Sequence, residues 1–313
     1  MMLPYYPRLK KLLRITAIVS MALLTVCSLP AAAQELEPRT YANTAIGVNL
    51  IGANAGFSNG NILLDPSLPI EGLKGDVYYG ILRYMRSFGL FDRSAKLKVL
   101  LPFTTGDWDG VFEGEPAQRS SSGTGDIRVS LEWNFYGAPA MTAKELRSYQ
   151  QKTIIGARIR MIIPTGDYDN TEHINLGSNR WSYQLEIGAS RPFGAWSVEG
   201  MANIWFFGNN DDFLEGNYLQ QEELWVIKTH LIYTFRPGFW IGSGIGYGNG
   251  GRTIVNGVPK DNRQENWRIG ATIAYPVSRQ HGISLTIGSG FNQGAGGDFD
   301  TIAIGYQYAW GEI

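Results

Sequence analysis

The stretch Thr301 to Trp310 alternates with strict period two: Ile302, Ile304, Tyr306, Tyr308 and Trp310 fall on one side, Thr301, Ala303, Gly305, Gln307 and Ala309 on the other. Successive side chains of a strand point to opposite faces, so the pattern specifies a strand with one apolar face and one face of small and polar groups. The apolar face carries aromatics toward one end, as a strand needs if it crosses hydrocarbon and stops at the headgroups. A chain in which the pattern recurs is a closed barrel, because an open sheet edge in hydrocarbon strands backbone N–H and C=O groups without partners.

The N-terminus specifies which membrane. Arg8, Lys10, Lys11 and Arg14 form a basic region, Ile15 to Leu29 is mostly apolar, and Ala31-Ala32-Ala33 offers a small-residue cleavage site. This is the layout of a secretory signal peptide over residues 1–33, and the apolar run is too short for a permanent anchor helix. Removing 33 of 313 residues leaves ample chain for one large barrel. It also takes four of the 27 basic residues against 28 acids, so the mature chain is acidic and nucleic acid is excluded as a partner. Cys27, the only cysteine, lies inside the signal, so the mature chain forms no disulfide and no thiolate metal site.

The alternation recurs in about twelve segments of the length a tilted transmembrane strand requires. They are 45–53, 76–86, 95–103, 126–136, 153–163, 181–191, 196–207, 222–234, 240–249, 266–275, 282–291 and 300–310. The clearest sets Ile127, Val129, Leu131, Trp133 and Phe135 against Arg128, Ser130, Glu132 and Asn134, whereas glycines and tyrosines blur the faces of the second and ninth. Connections alternate between long polar stretches, such as Gly106 to Gly125 and Pro164 to Arg180, and short turns, such as Pro192-Phe193-Gly194-Ala195 and Arg236-Pro237-Gly238. Outer-membrane barrels have long extracellular loops and short periplasmic turns, so the odd strands run outward and both termini are periplasmic. Thr142 and Glu145 form a capping box that predicts a short periplasmic helix in Gly137 to Lys152. A soluble β-sandwich also alternates, but Trp133, Trp181, Trp196, Trp205, Trp225, Trp240, Trp267 and Trp310 all fall within or at the margins of strands, as aromatic girdles require. The expected fold is all-β: a transmembrane antiparallel up-and-down β-barrel over residues 45–310, preceded by a periplasmic segment 34–44 and followed by a tail 311–313.

Several local patterns carry a resemblance. Leu176-Gly177-Ser178-Asn179-Arg180-Trp181, Ile163-Pro164-Thr165-Gly166-Asp167-Tyr168-Asp169, Asn209-Asn210-Asp211-Asp212-Phe213 and Gly250-Gly251-Arg252-Thr253 resemble the outer-membrane transporter family called the putative MetA-pathway of phenol degradation family, from about Ala45 to Trp310. The resemblance implies a twelve-stranded barrel that passes aromatic or other hydrophobic compounds. The residues that follow Trp310 depart from barrels that end on the aromatic itself. Read physically, Leu101-Pro102-Phe103-Thr104-Thr105-Gly106-Asp107 and Ile163-Pro164-Thr165-Gly166-Asp167 are strand terminators: proline lacks a ladder donor, glycine bends, and aspartate stays in water.

Alternation assigns Arg83, Lys96, Lys98, Arg128, Arg158, Arg160, Lys228 and Arg268 to the lumen, with Glu132, Glu186, Glu199 and His230. A lipid-facing Arg or Lys at the midplane costs about 2 to 4 kcal/mol, which forces these side chains inward. They either line a narrow water path that favours anions and polarised aromatics, or pair and fill the interior. Asp107 with Asp109, Asp167 with Asp169, Asp211 with Asp212 and Asp298 with Asp300 stand at outward strand ends; none has the spacing of a dedicated calcium loop, so no metal is assigned. His173, His230 and His281 lack the His-x-Ser arrangement of a barrel phospholipase, and Gly242 to Gly251 opens no helix, so neither a catalytic group nor a cofactor is assigned.

The expected function is passive uptake of small hydrophobic or aromatic solutes through the outer membrane of a Gram-negative bacterium. Trp108, Phe112, Tyr168, Phe213 and Tyr218 are the candidate loop contacts, able to stack apolar solutes. Expected partners are outer-membrane lipid, lipopolysaccharide and the barrel-assembly machinery. The alternatives are a closed structural barrel that binds lipid or a protein partner and, third, an outer-membrane hydrolase.

Overall fold

The computed structural model describes residues 36–63, 70–112, 114–172, 174–292 and 296–313. The expected signal peptide, His173 and the side chain of Phe112 lie outside the described residues. The strands are β1 (Val48–Leu63), β2 (Ile70–Leu90), β3 (Arg93–Phe112), β4 (Glu115–Thr124), β5 (Ile127–Tyr136), β6 (Ile154–Ile163), β7 (Ser182–Phe193), β8 (Trp196–Phe207) and β9 (Asn210–Phe213). They continue as β10 (Asn217–Gln221), β11 (Leu224–Arg236), β12 (Phe239–Gly250), β13 (Thr253–Val255), β14 (Val258–Pro259), β15 (Gln264–Pro276), β16 (His281–Asn292) and β17 (Gly296–Gly311). One short helix, α1 (Ala143–Ser148), follows Thr142 with the capping box in place: Glu145 N–H donates to Thr142 Oγ1 at 3.4 Å and Thr142 N–H to Glu145 Oε2 at 2.8 Å.

The barrel closes in the order β1, β2, β3, β5, β6, β7, β8, β11, β12, β15, β16, β17 and back to β1, every pairing antiparallel. The seam is a long ladder, running from Val48↔Gly311 to Leu63↔Gly296. Closure meets the demand that hydrocarbon makes on every backbone N–H and C=O. The alternation then sorts side chains: Ile304 and Ile227 are each 62% exposed on the outer face, while Glu132 and Lys228 on the inner face are buried. Outward rings touch in series near the termini, from Trp196 through Tyr233, Phe235 and Phe239 to Tyr275, and again from Tyr308 through Trp310 to Tyr84. A second set, Tyr247, Trp267 and Phe291, marks the opposite boundary. These are the girdles of a membrane barrel.

Three expectations need correction. First, β1, β2 and β3 run well past 53, 86 and 103, and the stretch Gly106 to Gly125 is not a free loop. β3 and β4 continue the sheet as a hairpin, from Phe103↔Thr124 to Phe112↔Glu115, held by polar cross-strand pairs such as Thr105–Ser122 and Asp107–Ser120 that suit water. Second, β9, β10, β13 and β14 form a separate four-stranded sheet above the loop end, where polar loops were expected. Its β13–β14 turn is Asn256-Gly257, both at positive φ, the two-residue turn whose twist matches a hairpin. Third, Trp205 and Trp240 are not girdle residues. They share the inner face with Leu224 and Gly242, through the pairings Leu224↔Trp205 and Trp240↔Ala274.

The two terminator motifs act together. Asp126, in the break between β4 and β5, accepts from the N–H of Gly166 and from the N–H and hydroxyl of Ser178. Asp167 accepts from Thr124 N–H at 2.6 Å. The loop 164–181 is thereby folded onto the barrel rim, and a Cβ at Gly177 would lie 2.6 Å from the carbonyl oxygen of Gly166, which leaves glycine as the residue that fits.

Replacing Ile304 by Arg puts a guanidinium on the lipid face at about 2 to 4 kcal/mol, whereas Gln307 faces the lumen. I304R is expected to lose the compact, heat-modifiable mobility of a folded barrel on unboiled detergent gels, and Q307R to keep it. Equal loss in both would overturn the assignment of faces.

Candidate functional site

The lumen is built on two unlike walls. On β3, β5, β6, β7, β8 and β11 the inward positions carry the charged residues that alternation assigned there. Lys98 Nζ lies 2.7 Å and Lys96 Nζ 3.3 Å from the Glu132 carboxylate. Arg158 Nη2 donates to Glu186 at 2.9 Å, Lys228 Nζ reaches the same carboxylate at 2.8 Å, and Arg158 Nη1 stands 3.7 Å from Glu132. Arg160 Nε donates to Ser130 Oγ at 3.2 Å. His230 Nδ1 is 3.9 Å from Glu199.

The opposite wall is small. The inward face of β12 is a row of glycines, Gly242, Gly244, Gly246, Gly248 and Gly250, in register with Lys228 and His230 of β11. Beside it stand Gly270 and Thr272 on β15, Ser284 and Thr286 on β16, and Ala303 and Gly305 on β17. The His230 ring leans onto Gly244, where a Cβ would fall 2.5 Å from the imidazole. Arg83 and Arg268 belong to this side, donating to Gln307 at 3.5 Å and Thr301 at 3.4 Å. Arg128 lines the middle of the lumen.

The segment placed by sequence in the periplasm, 34–44, instead enters the lumen over its described part and lies on the charged wall. Glu37 supplies the counter-charge that the strands lack: one carboxylate oxygen pairs with Arg158 and the other with Arg160 at 3.0 Å. Arg39 N–H donates to Glu199 at 2.8 Å, and the Arg39 guanidinium sits 5.7 Å from the centre of the Trp240 ring. Lys96 Nζ donates to the carbonyl of Thr40 at 2.5 Å. Tyr41 is the anchor. Its hydroxyl donates to Glu186 at 3.1 Å, and its ring fills a slot over Gly156 and Gly188, where a Cβ would come within 2.5 and 2.2 Å of ring carbons. With Ala138, Ile154 and Met201 it forms a small apolar core inside the barrel.

Space remains beside this plug. A cavity of about 550 Å³ opens at the terminal end between the segment and the small wall. A second, about 380 Å³, continues upward and shares Leu36, Pro38, Thr272 and Thr286 with the first. A third, about 270 Å³, lies toward the loops and shares Arg128 with the second. Its walls are Ile162, Trp205, Phe207, Leu224 and Val226.

The loop residues expected to receive solutes are distributed differently. Trp108 is a wall residue, buried on the inner face of β3 with its ring over Gly75 and Gly106. The Tyr168 hydroxyl accepts from Asn210 at 2.9 Å and donates to the carbonyl of Asp212 at 3.1 Å, and the Tyr218 hydroxyl accepts from Asn209 at 2.5 Å. Those two tyrosines and half-buried Phe213 are built into the loop sheet and its neighbours. Among the described residues no group of three or more His, Cys, Asp or Glu side chains converges as metal ligands would. His281 opens β16, paired with the Tyr306 hydroxyl at 2.7 Å on the outer face.

A closed antiparallel barrel with aromatic girdles and a charged, plugged lumen defines the class: a β-barrel of the outer membrane. Within that class the chain belongs to the family described as "Putative MetA-pathway of phenol degradation", whose model matches residues 52–308. Among solved structures it is similar to an outer membrane channel from Pseudomonas putida F1, with 22% identity, coverage of 88% of this chain and 100% of that one, and a TM-score of 0.75. The transport unit of the autotransporter AIDA-I from Escherichia coli shares the fold more distantly, at 9% identity, 89% and 93% coverage and a TM-score of 0.53. The beta domain of the Bordetella autotransporter BrkA does so at 10% identity, 84% and 100% coverage and a TM-score of 0.51. No curated protein matches the chain.

If Tyr41 in its glycine slot holds the plug, Gly188→Val expels the ring without touching a charge. The expected result is faster hydrogen exchange at the Arg39 and Ala42 amides by roughly tenfold or more, a loss of at least about 1.4 kcal/mol of local stability. Unchanged exchange in a barrel of native gel mobility would show that the slot is not what secures the segment.

Proposed function

We propose that this protein is a passive outer-membrane channel for small hydrophobic or aromatic solutes. The observation that carries the proposal is the run of three cavities, the first two lined in part by the plug, that share lining residues pairwise from the terminal-end turns to the chamber under the loops. Family membership and the likeness to an outer membrane channel support it.

The two lumen readings left open by the sequence are realised on different walls. On one side the charges pair with one another and with Glu37, which fills the interior. On the other, glycine, serine and threonine leave room for a path. Its upper part carries an apolar wall of Ile162, Trp205, Phe207, Leu224 and Val226, against which a hydrophobic guest loses little by leaving the outer leaflet. The twelve charged and histidine residues predicted for the lumen set its electrostatics; Trp108 forms part of the apolar inner face, and Tyr168, Phe213 and Tyr218 shape the entrance. Transport of this kind needs no chemistry from the protein, and the protein acts as a conduit and not a hydrolase. Lipopolysaccharide around the outer girdle and the barrel-assembly machinery during insertion complete its partners.

Planar-bilayer recording with the mature chain and with a variant lacking residues 36–44 tests this. Wild-type protein is expected to give small single-channel steps, and the deletion steps several-fold larger, with phenol entering liposomes faster through both than through protein-free vesicles. Silence from both proteins, with no phenol uptake, would overturn the channel and favour the closed structural barrel.

A further inference from the structure

The third cavity is an amphipathic chamber. Arg160 and Lys228 form its floor with Arg128, and Trp205, Phe207, Ile162, Leu224 and Val226 form its walls. The Phe207 ring lies 5.1 Å from the Arg180 guanidinium, which also pairs with Gln221 at the top of the chamber. An apolar cavity of roughly 150 Å³ takes benzene, so about 270 Å³ holds one aromatic ring with a charged substituent.

Two observations say what that guest is. Arg160 Nη2 already pairs with a carboxylate oxygen, Glu37 Oε1 at 3.0 Å, so this guanidinium receives a carboxylate in the folded barrel. Arg160 and Lys228 are each 3% exposed and held in place by the barrel itself, through Ser130 and Glu186.

We infer that the chamber is a binding site for aromatic monocarboxylates: the carboxylate sits on Arg160 and Lys228, and the ring packs against Trp205 and Phe207. The inference rests on the channel reading for its purpose but not for its chemistry. Because Glu37 holds the same guanidinium, the guest competes with the plug, and its binding loosens segment 36–44.

The test is calorimetric titration of the purified barrel in detergent with 4-hydroxybenzoate, benzoate and neutral 4-hydroxybenzyl alcohol. 4-Hydroxybenzoate and benzoate are both expected to bind saturably, and the alcohol at least roughly tenfold more weakly than 4-hydroxybenzoate, the loss that goes with one charge-assisted hydrogen bond. Arg160→Gln should weaken 4-hydroxybenzoate by a similar factor and leave the alcohol unchanged. Glu37→Gln should tighten it several-fold, a gain that a merely structural role for Glu37 would not produce. Equal affinity for 4-hydroxybenzoate and the alcohol in wild-type protein would overturn the inference, as would indifference to Arg160→Gln in a variant of native gel mobility. Liposome uptake of phenol separates the two readings. Phenol flux without carboxylate selectivity in the titration overturns this site alone, and selective binding with no flux of any probe overturns the channel alone.

Discussion

In hydrocarbon there is no water to satisfy a backbone amide, and every strand edge must find another strand. For this chain the consequence is the β1–β17 seam, the ladder from Val48↔Gly311 to Leu63↔Gly296 that removes the last open edge. Closure with period-two side chains divides the residues into two populations with no middle ground. Ile304, Ile227, Tyr306 and Trp310 go to lipid, and charges have nowhere to stand except the lumen. The strands thereby confine eight basic side chains with only three acids, and the excess of positive charge in a low-dielectric interior has to be met from elsewhere.

Glu37 meets it. The segment before β1 turns back into the barrel because Arg158 and Arg160 would otherwise be buried without sufficient counter-charge, and because Gly156 and Gly188 leave a slot that the Tyr41 ring fills. Electrostatics thus draws the plug to one wall, and the absence of side chains on β12 leaves the other wall open. The division between a filled half and an empty half of one lumen is what allows a plugged barrel to keep a path. It also places cationic groups beneath an apolar chamber, an arrangement suited to guests with an aromatic body and an anionic end.

Much of this was legible in the sequence where the physics is local. The twelve staves follow from alternation, the capped helix from the Thr142 and Glu145 capping box, and the inward placement of Arg158, Glu186 and Lys228 from the cost of charge in lipid. Errors arose where alternation was outweighed or silent. Trp205 and Trp240 sit in strand margins like girdle residues, yet Trp205 shares the face of lumen-facing Glu199 on β8 and Trp240 that of Gly242 on β12, a parity readable along each strand that position at the margin overrode. The Asn256-Gly257 turn was a readable hairpin signal inside a stretch taken for loop. Nothing local marked Glu37 as a lumen residue, because its partners are 121 and 123 positions away.

The sequence by itself determined the barrel: a period of two with aromatic margins, repeated about twelve times, admits few other solutions in a membrane. It also determined which charges face inward, since lipid forbids the alternative. Only the tertiary structure decided what occupies the lumen, for the physical reason that counter-charge and free volume are properties of the whole ring of strands. Glu37 finds Arg158 and Arg160, Tyr41 finds Gly156 and Gly188, and the glycine row of β12 faces the charged wall only when β1 has met β17.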